Sequence, residues 1–241
     1  MRLAVISDIH GNLEAFQEVL KDIQQCRVEY VVCLGDMIGY GPEPEEVVRL
    51  IMEKNIPTVM GNHELAILEP RYLEWFNPLC QLSLNKTRTL LSHETITFIR
   101  SLENHLLLGD SLFVHGVPPD SVMTYLMQLS DEEIRTIFQT NREKKYFVGH
   151  THDLVLKGDR ENDIYTRPLR QEIIPFKTGR TYLVNVGSVG QPRDGNNQAK
   201  YVIWDQEAES LETRFIAYDI ERTVRKILDL GLPEYHARRL W

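Results

Sequence analysis

Seven side chains carrying hard oxygen or borderline nitrogen donors stand in five short polar clusters of this sequence. Asp8 and His10 lie in DIHGN, Asp36 in GD, Asn62 in GNHE, His115 in FVHG, and His150 with His152 in GHTH. Carboxylate, amide and imidazole donors without a thiolate suit a pair of divalent ions of hard-to-borderline character. His63, next to Asn62, is the spare of the set, and a spare imidazole beside two metals suits a proton donor. Each cluster ends an apolar run, which is where a loop leaves the carboxyl end of a strand and where a rigid sheet can fix its origin. In an extended stretch, residues two apart point the same way, so Asp8 with His10 and His150 with His152 could each present two donors to one side. Glycines 11, 35, 61, 116 and 149 sit beside these donors, where the backbone must turn sharply and a substrate must approach closely.

The elements that must hold such loops follow from apolar periodicity. RLAVIS (2–7), YVVCLG (30–35) and PTVMG (57–61) read as buried strands, separated by a helix from Asn12 and another from about Pro44. The repeated strand-then-helix unit predicts parallel strands with crossover helices. Leu13, Phe16, Leu20 and Ile23 share one face of the first helix, with Asn12 as its N-cap. From Leu65 to about Glu103 the pattern is helix without strands, a helical excursion beside the site with Ser92 as a cap. SLFVHG (111–116) and KYFVGH (145–150) resume the strand-then-loop pattern around a helical piece near 131–139. The closely spaced segments LVLKG, IYTR, EIIPF, TYLVNVG, AKYVIW and SLETRFIAY predict antiparallel pairing in a second sheet facing the first. A helix over 219–231 ends at Gly231, its C′ residue. The expected architecture is α/β: one domain over residues 1–241, a four-layer αββα sandwich of two facing mixed sheets flanked by helices, with the helical excursion at about 65–104.

Bulk properties bound the function. With 241 residues, 42% of them hydrophobic, the chain buries a sizeable core without disulfides. Cys26, Cys33 and Cys80 are odd in number and contain no CxxC spacing, which argues against a disulfide framework and against thiolate zinc. No run approaches the roughly 18 apolar residues of a membrane span, and MRLAVISDIHG lacks the basic start and long apolar centre of a signal peptide, so a cytoplasmic protein without a membrane partner is expected. The net charge of −8 repels duplex nucleic acid and anionic lipid. A phosphate substrate must therefore find its positive charge at a metal site. Oligomeric state is left open, because Tyr72, Trp75, Phe76 and Trp241 suit an interface or packing within the chain equally.

Taken in order, D-x-H, GD, GNHE, a lone strand-end His and GHTH resemble the calcineurin-like metallophosphoesterase superfamily. Within it, VISDIHGNLEA and NVGSVGQPRDG resemble the small bacterial phosphodiesterase branch. The resemblance implies that Asp8, His10 and His152 hold one metal, that Asn62, His115 and His150 hold the other, and that Asp36 bridges them. It also implies that the ions activate water for in-line attack on phosphorus while His63 stabilises or protonates the leaving oxygen. The implied substrate is a small phosphodiester or nucleotide, with a phosphomonoesterase, a protein phosphatase or a dinucleoside polyphosphate hydrolase as alternatives. A non-catalytic scaffold of the same fold would lack the catalytic His or part of the ligand set, and neither is lacking here. Manganese or iron is favoured, and the donors also accept zinc, cobalt or nickel. Asn12, Tyr40 and Arg193 are candidates for substrate contact, each with a local alternative: a helix cap, a turn, and an ion pair with Asp194. Glu64 has an orienting or a structural part, and His93, His105 and His236 read as ordinary core or surface residues.

Overall fold

A computed structural model describes residues 1–160 and 163–241. The first half of the chain contains β1 (Arg2–Ile6), α1 (Leu13–Gln25), β2 (Tyr30–Cys33), α2 (Pro44–Glu53), α3 (Asn62–Leu68), α4 (Pro78–Leu90), α5 (His93–Arg100), β3 (His105–Leu108) and β4 (Ser111–Val114). The second half contains α6 (Asp131–Thr140), β5 (Lys145–Val148), β6 (Leu154–Arg160), β7 (Asp163–Pro168), β8 (Ile173–Pro175), β9 (Tyr182–Val186), β10 (Ala199–Asp205), β11 (Ser210–Ile216), α7 (Ile220–Asp229) and α8 (Glu234–Arg238). No helix among the described residues is long and apolar enough to cross a membrane.

The strands form two sheets, ordered β2-β1-β10-β11-β8 and β3-β4-β5-β9-β6-β7. Both are mixed: β1 and β2 run parallel, as do β4, β5 and β9, and antiparallel strands complete each sheet. Alternation along β1 sends Leu3 and Val5 to the face that meets the second sheet, where they join Phe113, Phe147, Val184 and Trp204. Ala4 and Ile6 point the other way, onto Phe16, Val19 and Ile23 of α1. On the far side of the second sheet, Ile134 and Phe138 of α6 cover Val114, Tyr146 and Val148. Helix, sheet, sheet and helix therefore stack as four layers. Each fully buried aliphatic or aromatic side chain in them contributes on the order of 1.5–3 kcal/mol.

Three expectations are corrected. PTVMG forms only single bridges, Thr58 with Cys33 and Val59 with Glu103. The carbonyl of Pro57 serves Cys33 while the amide of Met60 serves Glu103, so the segment divides between two partners and builds no ladder. The late segments do not make one antiparallel sheet: β8, β10 and β11 complete the first sheet, β6, β7 and β9 enter the second, and β9 runs parallel to β5. β3 adds a strand where the sequence pattern marks none, because His105–Leu108 is a four-residue edge strand with alternate residues exposed.

The helical layer is locked to the first sheet by a polar clamp. Arg214 of β11 grips Asp22 of α1 through Nη2–Oδ1 at 2.6 Å and Nε–Oδ2 at 3.0 Å, and the Tyr201 hydroxyl donates to Oδ2 at 2.6 Å. Burial alone would raise the Asp22 pKa, but the hydrogen bonds from Arg214 and Tyr201 outweigh it and hold the carboxyl below its usual value. A depressed folded-state pKa gives stability that is present above the unfolded value of about 3.9 and lost as pH falls through the folded one. Asp22→Asn is therefore expected to lower the unfolding free energy by about 1–2 kcal/mol near neutral pH. Denaturant titrations should show the gap to wild type closing as the pH falls below the unfolded carboxylate value and through the depressed folded one.

Candidate metal centre

The carboxyl ends of β1, β2, β4 and β5 meet at one edge of the sandwich and deliver their loops to a single buried point. Asp8, His10, Asp36, Asn62, His115, His150 and His152 are all less than 5% exposed there. Their ligating atoms form two groups, Asp8 with His10 and His152, and Asp36 with His115 and His150, and a third group of His10, Asp36 and His63 overlaps both, each within 4.8 Å. In the first group His10 Nε2 lies 3.0 Å from His152 Nε2, and His152 Nε2 lies 3.2 Å from Asp8 Oδ1. In the second, His115 Nε2 lies 3.1 Å from His150 Nδ1, 2.9 Å from Asn62 Oδ1 and 3.4 Å from Asp36 Oδ2. Asp36 Oδ2 is also 3.7 Å from His10 Nε2, so it stands between the two groups.

Backbone carbonyls decide which way these rings present their lone pairs. His10 Nδ1 meets Ile38 O at 2.9 Å, His115 Nδ1 meets Leu34 O at 2.8 Å, His152 Nδ1 meets Gln191 O at 2.5 Å, and His150 Nε2 meets Met123 O at 3.2 Å. A carbonyl only accepts, so each of these nitrogens carries the proton and the opposite nitrogen of each neutral ring turns a lone pair inward. The carboxylates are arranged in the same way. Asp8 Oδ2 accepts from the His150 amide at 3.0 Å and Asp36 Oδ1 from the His63 amide at 2.9 Å. The remaining oxygens, Asp8 Oδ1 and Asp36 Oδ2, are buried without a hydrogen-bond partner. Lone pairs and bare carboxylate oxygens about 3 Å apart repel unless cations stand among them, so the donor set fits two metal ions.

The electrostatics agree. Burial pushes the His10 imidazole well below its usual range and His150 down to about 3, which leaves both neutral. Burial opposes charge on His115 too, yet Asp36 lifts it to about 9, so in the metal-free chain a proton supplies the missing positive charge. Asp36 is held well below the carboxylate range by His115 and His63 in spite of its burial.

The backbone is strained at the same place. Asp8, His10, Asp36, His150 and His152 all have positive φ, between 50° and 68°. Such conformations cost on the order of 1–3 kcal/mol each and persist only where the surroundings impose them. They also correct the simple alternation argument. His150 and His152 do not point to one side: His152 joins Asp8 and His10, while His150 joins Asp36 and His115. Part of the constraint comes from Glu64, whose buried carboxylate accepts from the amides of Asp36 and Met37 at 2.8 Å, Ile38 at 3.3 Å and Gly61 at 3.1 Å. A Cβ at Gly61 would run into Asp36 and Glu64, so only glycine closes this junction.

His63 lies among these groups but takes no carbonyl. Its Nε2 is 3.8 Å from Asp36 Oδ2 and its Nδ1 has no partner. Its ring packs between Tyr40 (4.7 Å) and Phe76 (5.1 Å), which line a cleft of about 460 Å³ above the centre. Asn62, His150, Tyr40 and Arg193 also line that cleft. Asn12 does not reach it: its Oδ1 caps α1 at Ala15 and accepts from Thr223, and its Nδ2 donates to Gly190 O. The Arg193–Asp194 ion pair is not formed, since Asp194 pairs with Lys200 at 2.8 Å. His236, read from the sequence as an ordinary residue, lines the cleft at 2% exposure with its ring 4.8 Å from Tyr40. His93 and His105 are exposed. Removing the Glu64 clamp tests the loop geometry directly. Glu64→Ala leaves four buried amides without an acceptor and is expected to lower the stability of metal-free protein by at least about 3 kcal/mol. A loss below about 1 kcal/mol in urea unfolding would show that the Asp36 loop does not depend on it.

Residues 1–154 match the calcineurin-like phosphoesterase family. The chain is 35% identical to the uncharacterized protein MJ0912 of Methanocaldococcus jannaschii, covering 99% of this chain and 97% of that protein. It is 34% identical to a metallophosphoesterase of known crystal structure from Sphaerobacter thermophilus, with full coverage of this chain, 98% of the other and a TM-score of 0.84. A shorter stretch, 39% of this chain and 56% of the relative, is 30% identical to Phosphodiesterase YfcE of Escherichia coli.

Proposed function

Because the chain belongs to the calcineurin-like phosphoesterase family and is a metal-dependent phosphoesterase, we propose that it hydrolyses a small phosphodiester or nucleotide at the centre described above. The observation that carries this reading is the inward convergence of four imidazole lone pairs on two partnerless carboxylate oxygens. In the proposed assignment Asp8, His10 and His152 hold one ion, Asn62, His115 and His150 hold the other, and Asp36 bridges. Manganese or iron is the proposed content. When bound, the ions supply positive charge for the phosphoryl oxygens and acidify water to the point where it attacks at neutral pH.

The chain's own residues do the rest. The carbonyls of Ile38, Leu34, Gln191 and Met123 fix the rings, so the centre needs little rearrangement when substrate arrives. Burial holds the His63 pKa down to about 4 despite Asp36, so its ring is neutral and offers one N–H to the charge that develops on the leaving oxygen. Tyr40, wedged within 4.8 Å of the His10, His63 and His236 rings, separates the centre from bulk solvent. A cleft of about 460 Å³ admits a small ester, and the partial likeness to a phosphodiesterase supports a diester.

Protein reconstituted with Mn²⁺ should cleave bis-p-nitrophenyl phosphate faster than p-nitrophenyl phosphate, and a clear preference for the monoester would overturn the diester assignment. His63→Ala should keep its metal, measured by elemental analysis, while turnover falls about 10²–10⁴-fold. An undiminished rate would remove His63 from the reaction. Stripping the metals should abolish turnover and lower the thermal midpoint, since ions that bind only the folded centre stabilise it by mass action.

A further inference from the structure

One wall of the cleft carries positive charge that nothing in the reaction above employs. Arg193, from the loop after β9, and Arg239, just beyond α8, are both half-buried and both line the cleft with Asn62 and His150. Among the described residues neither has a carboxylate within salt-bridge distance. Arg193 donates only to Gln191 Oε1 at 3.3 Å, and its Nε is buried without a partner. Arg239 is positioned by an uncharged group: its Nη1 donates to the Tyr235 hydroxyl at 2.9 Å and its guanidinium lies 5.4 Å from the centre of the Tyr235 ring. Half-buried arginines ordinarily find an anion, as Arg214 does in Asp22. In a chain of net charge −8, two that do not, held side by side on a cleft wall, form a local positive site.

The surroundings narrow what that site takes. The same two arginines also wall a second hollow of about 230 Å³, so they stand where the cleft continues away from the metal centre. His236, nine-tenths buried and more, adds a polar ring to the cleft with Nδ1 unpartnered. At the rim, Trp75 and Tyr235 remain 75% and 48% exposed, flat apolar surfaces beside the cations. Guanidinium groups bind phosphate oxygens in a fork, and exposed aromatic rings at a phosphate site stack bases.

We propose that Arg193 and Arg239 form a second phosphate subsite, and that the substrate is a nucleotide with two adjacent phosphoryl groups, its base stacked on Trp75 or Tyr235. This deepens the proposed function and rests on it: one phosphoryl group occupies the metal centre and the arginines hold its neighbour. His236 of α8 and Arg239 just beyond it reach the site, so this helix and its cap set specificity while the loops between Asp8 and His152 supply the metal donors.

Calorimetric titration of manganese-reconstituted protein tests this, with adenosine 5′-monophosphate and its non-hydrolysable α,β-methylene diphosphate counterpart as probes. The diphosphate analogue should bind at least about tenfold tighter, a preference that an Arg193→Gln, Arg239→Gln double variant reduces to less than about twofold. The corresponding double Lys variant should keep part of the preference, and thermal midpoints by circular dichroism confirm that each variant is folded. Equal affinities in wild type overturn the subsite. So does a preference that survives in the Gln variant, because the metals would then be reading the second phosphate. Turnover of bis-p-nitrophenyl phosphate by the same preparation separates the two ideas. If it is absent while the arginine-dependent preference holds, the diesterase reading fails and the subsite stands; if it is present without the preference, only the subsite fails.

Discussion

The structure is organised around a repulsion. Four imidazole rings and two carboxylate oxygens are brought within a few ångströms of one another, out of water, and in the metal-free chain a proton on His115 is what offsets their negative charge. Left to itself such a cluster would scatter, because a buried anionic oxygen without a partner is among the most unfavourable arrangements in a protein. It holds because each donor is tied from behind. Every inward-facing ring has its outer N–H on a main-chain carbonyl, and each carboxylate has its second oxygen on an amide. Those ties cross between loops: Asp8 is fixed by His150, Asp36 by His63, and His152 by Gln191. No single loop can relax without pulling on another.

The sandwich exists to make those ties rigid. Parallel strands β1 in one sheet and β4, β5 and β9 in the other are buried on both faces, and β2 is buried at its carboxyl end, so the ends that carry the loops cannot slide. Two sheets packed face to face bring ends from each sheet to the same edge, which a single sheet could not do with five clusters. The strain in the backbone is the counterpart of this rigidity. Positive φ at five of the seven donors is tolerated because core packing beneath them and the Glu64 clamp beside them leave no alternative path for the chain.

Much of this was legible in the residues. The apolar runs gave β1, β2, β4 and β5, and the polar clusters at their ends gave the donors, because buried strands and metal ligands both restrict which residue types are accepted. What could not be read depends on partners distant in sequence. PTVMG looks like a strand by composition, but only its neighbours, Cys33 and Glu103, determine that it pairs once on each side. The division of β6 to β11 between two sheets is equally invisible, since alternation reports that a strand is half-buried and never which sheet buries it. Pleat alternation suggested that His150 and His152 face together, and the left-handed backbone at both residues defeats it. Glu64 was undecided for the same reason: its four amide donors lie on two loops far apart in sequence, one at Asp36 to Ile38 and the other at Gly61. The terminal PEYHARRLW has no periodicity to mark it, and only the docking of α7 and α8 reveals that His236 and Arg239 reach the cleft.

The acidic character of the chain then takes on a specific meaning. A surface of net charge −8 disfavours long polyanions at every point except where positive charge is concentrated and enclosed. Here that concentration has two proposed components of different kinds. Metal ions at the buried donors bind tightly but carry no information about the rest of the ligand, because they meet only the reacting phosphoryl group. Arginines on the wall sit farther out, are held by Tyr235 and Gln191 rather than by acids, and so keep their charge for whatever lies beyond that group. A small, highly charged ligand can satisfy both at once, whereas a duplex cannot enter a cleft of about 460 Å³ and would meet the acidic exterior instead. In the proposed arrangement selection for small phosphate compounds rests on geometry and charge together, with the metal centre determining what is broken and the wall determining what is admitted.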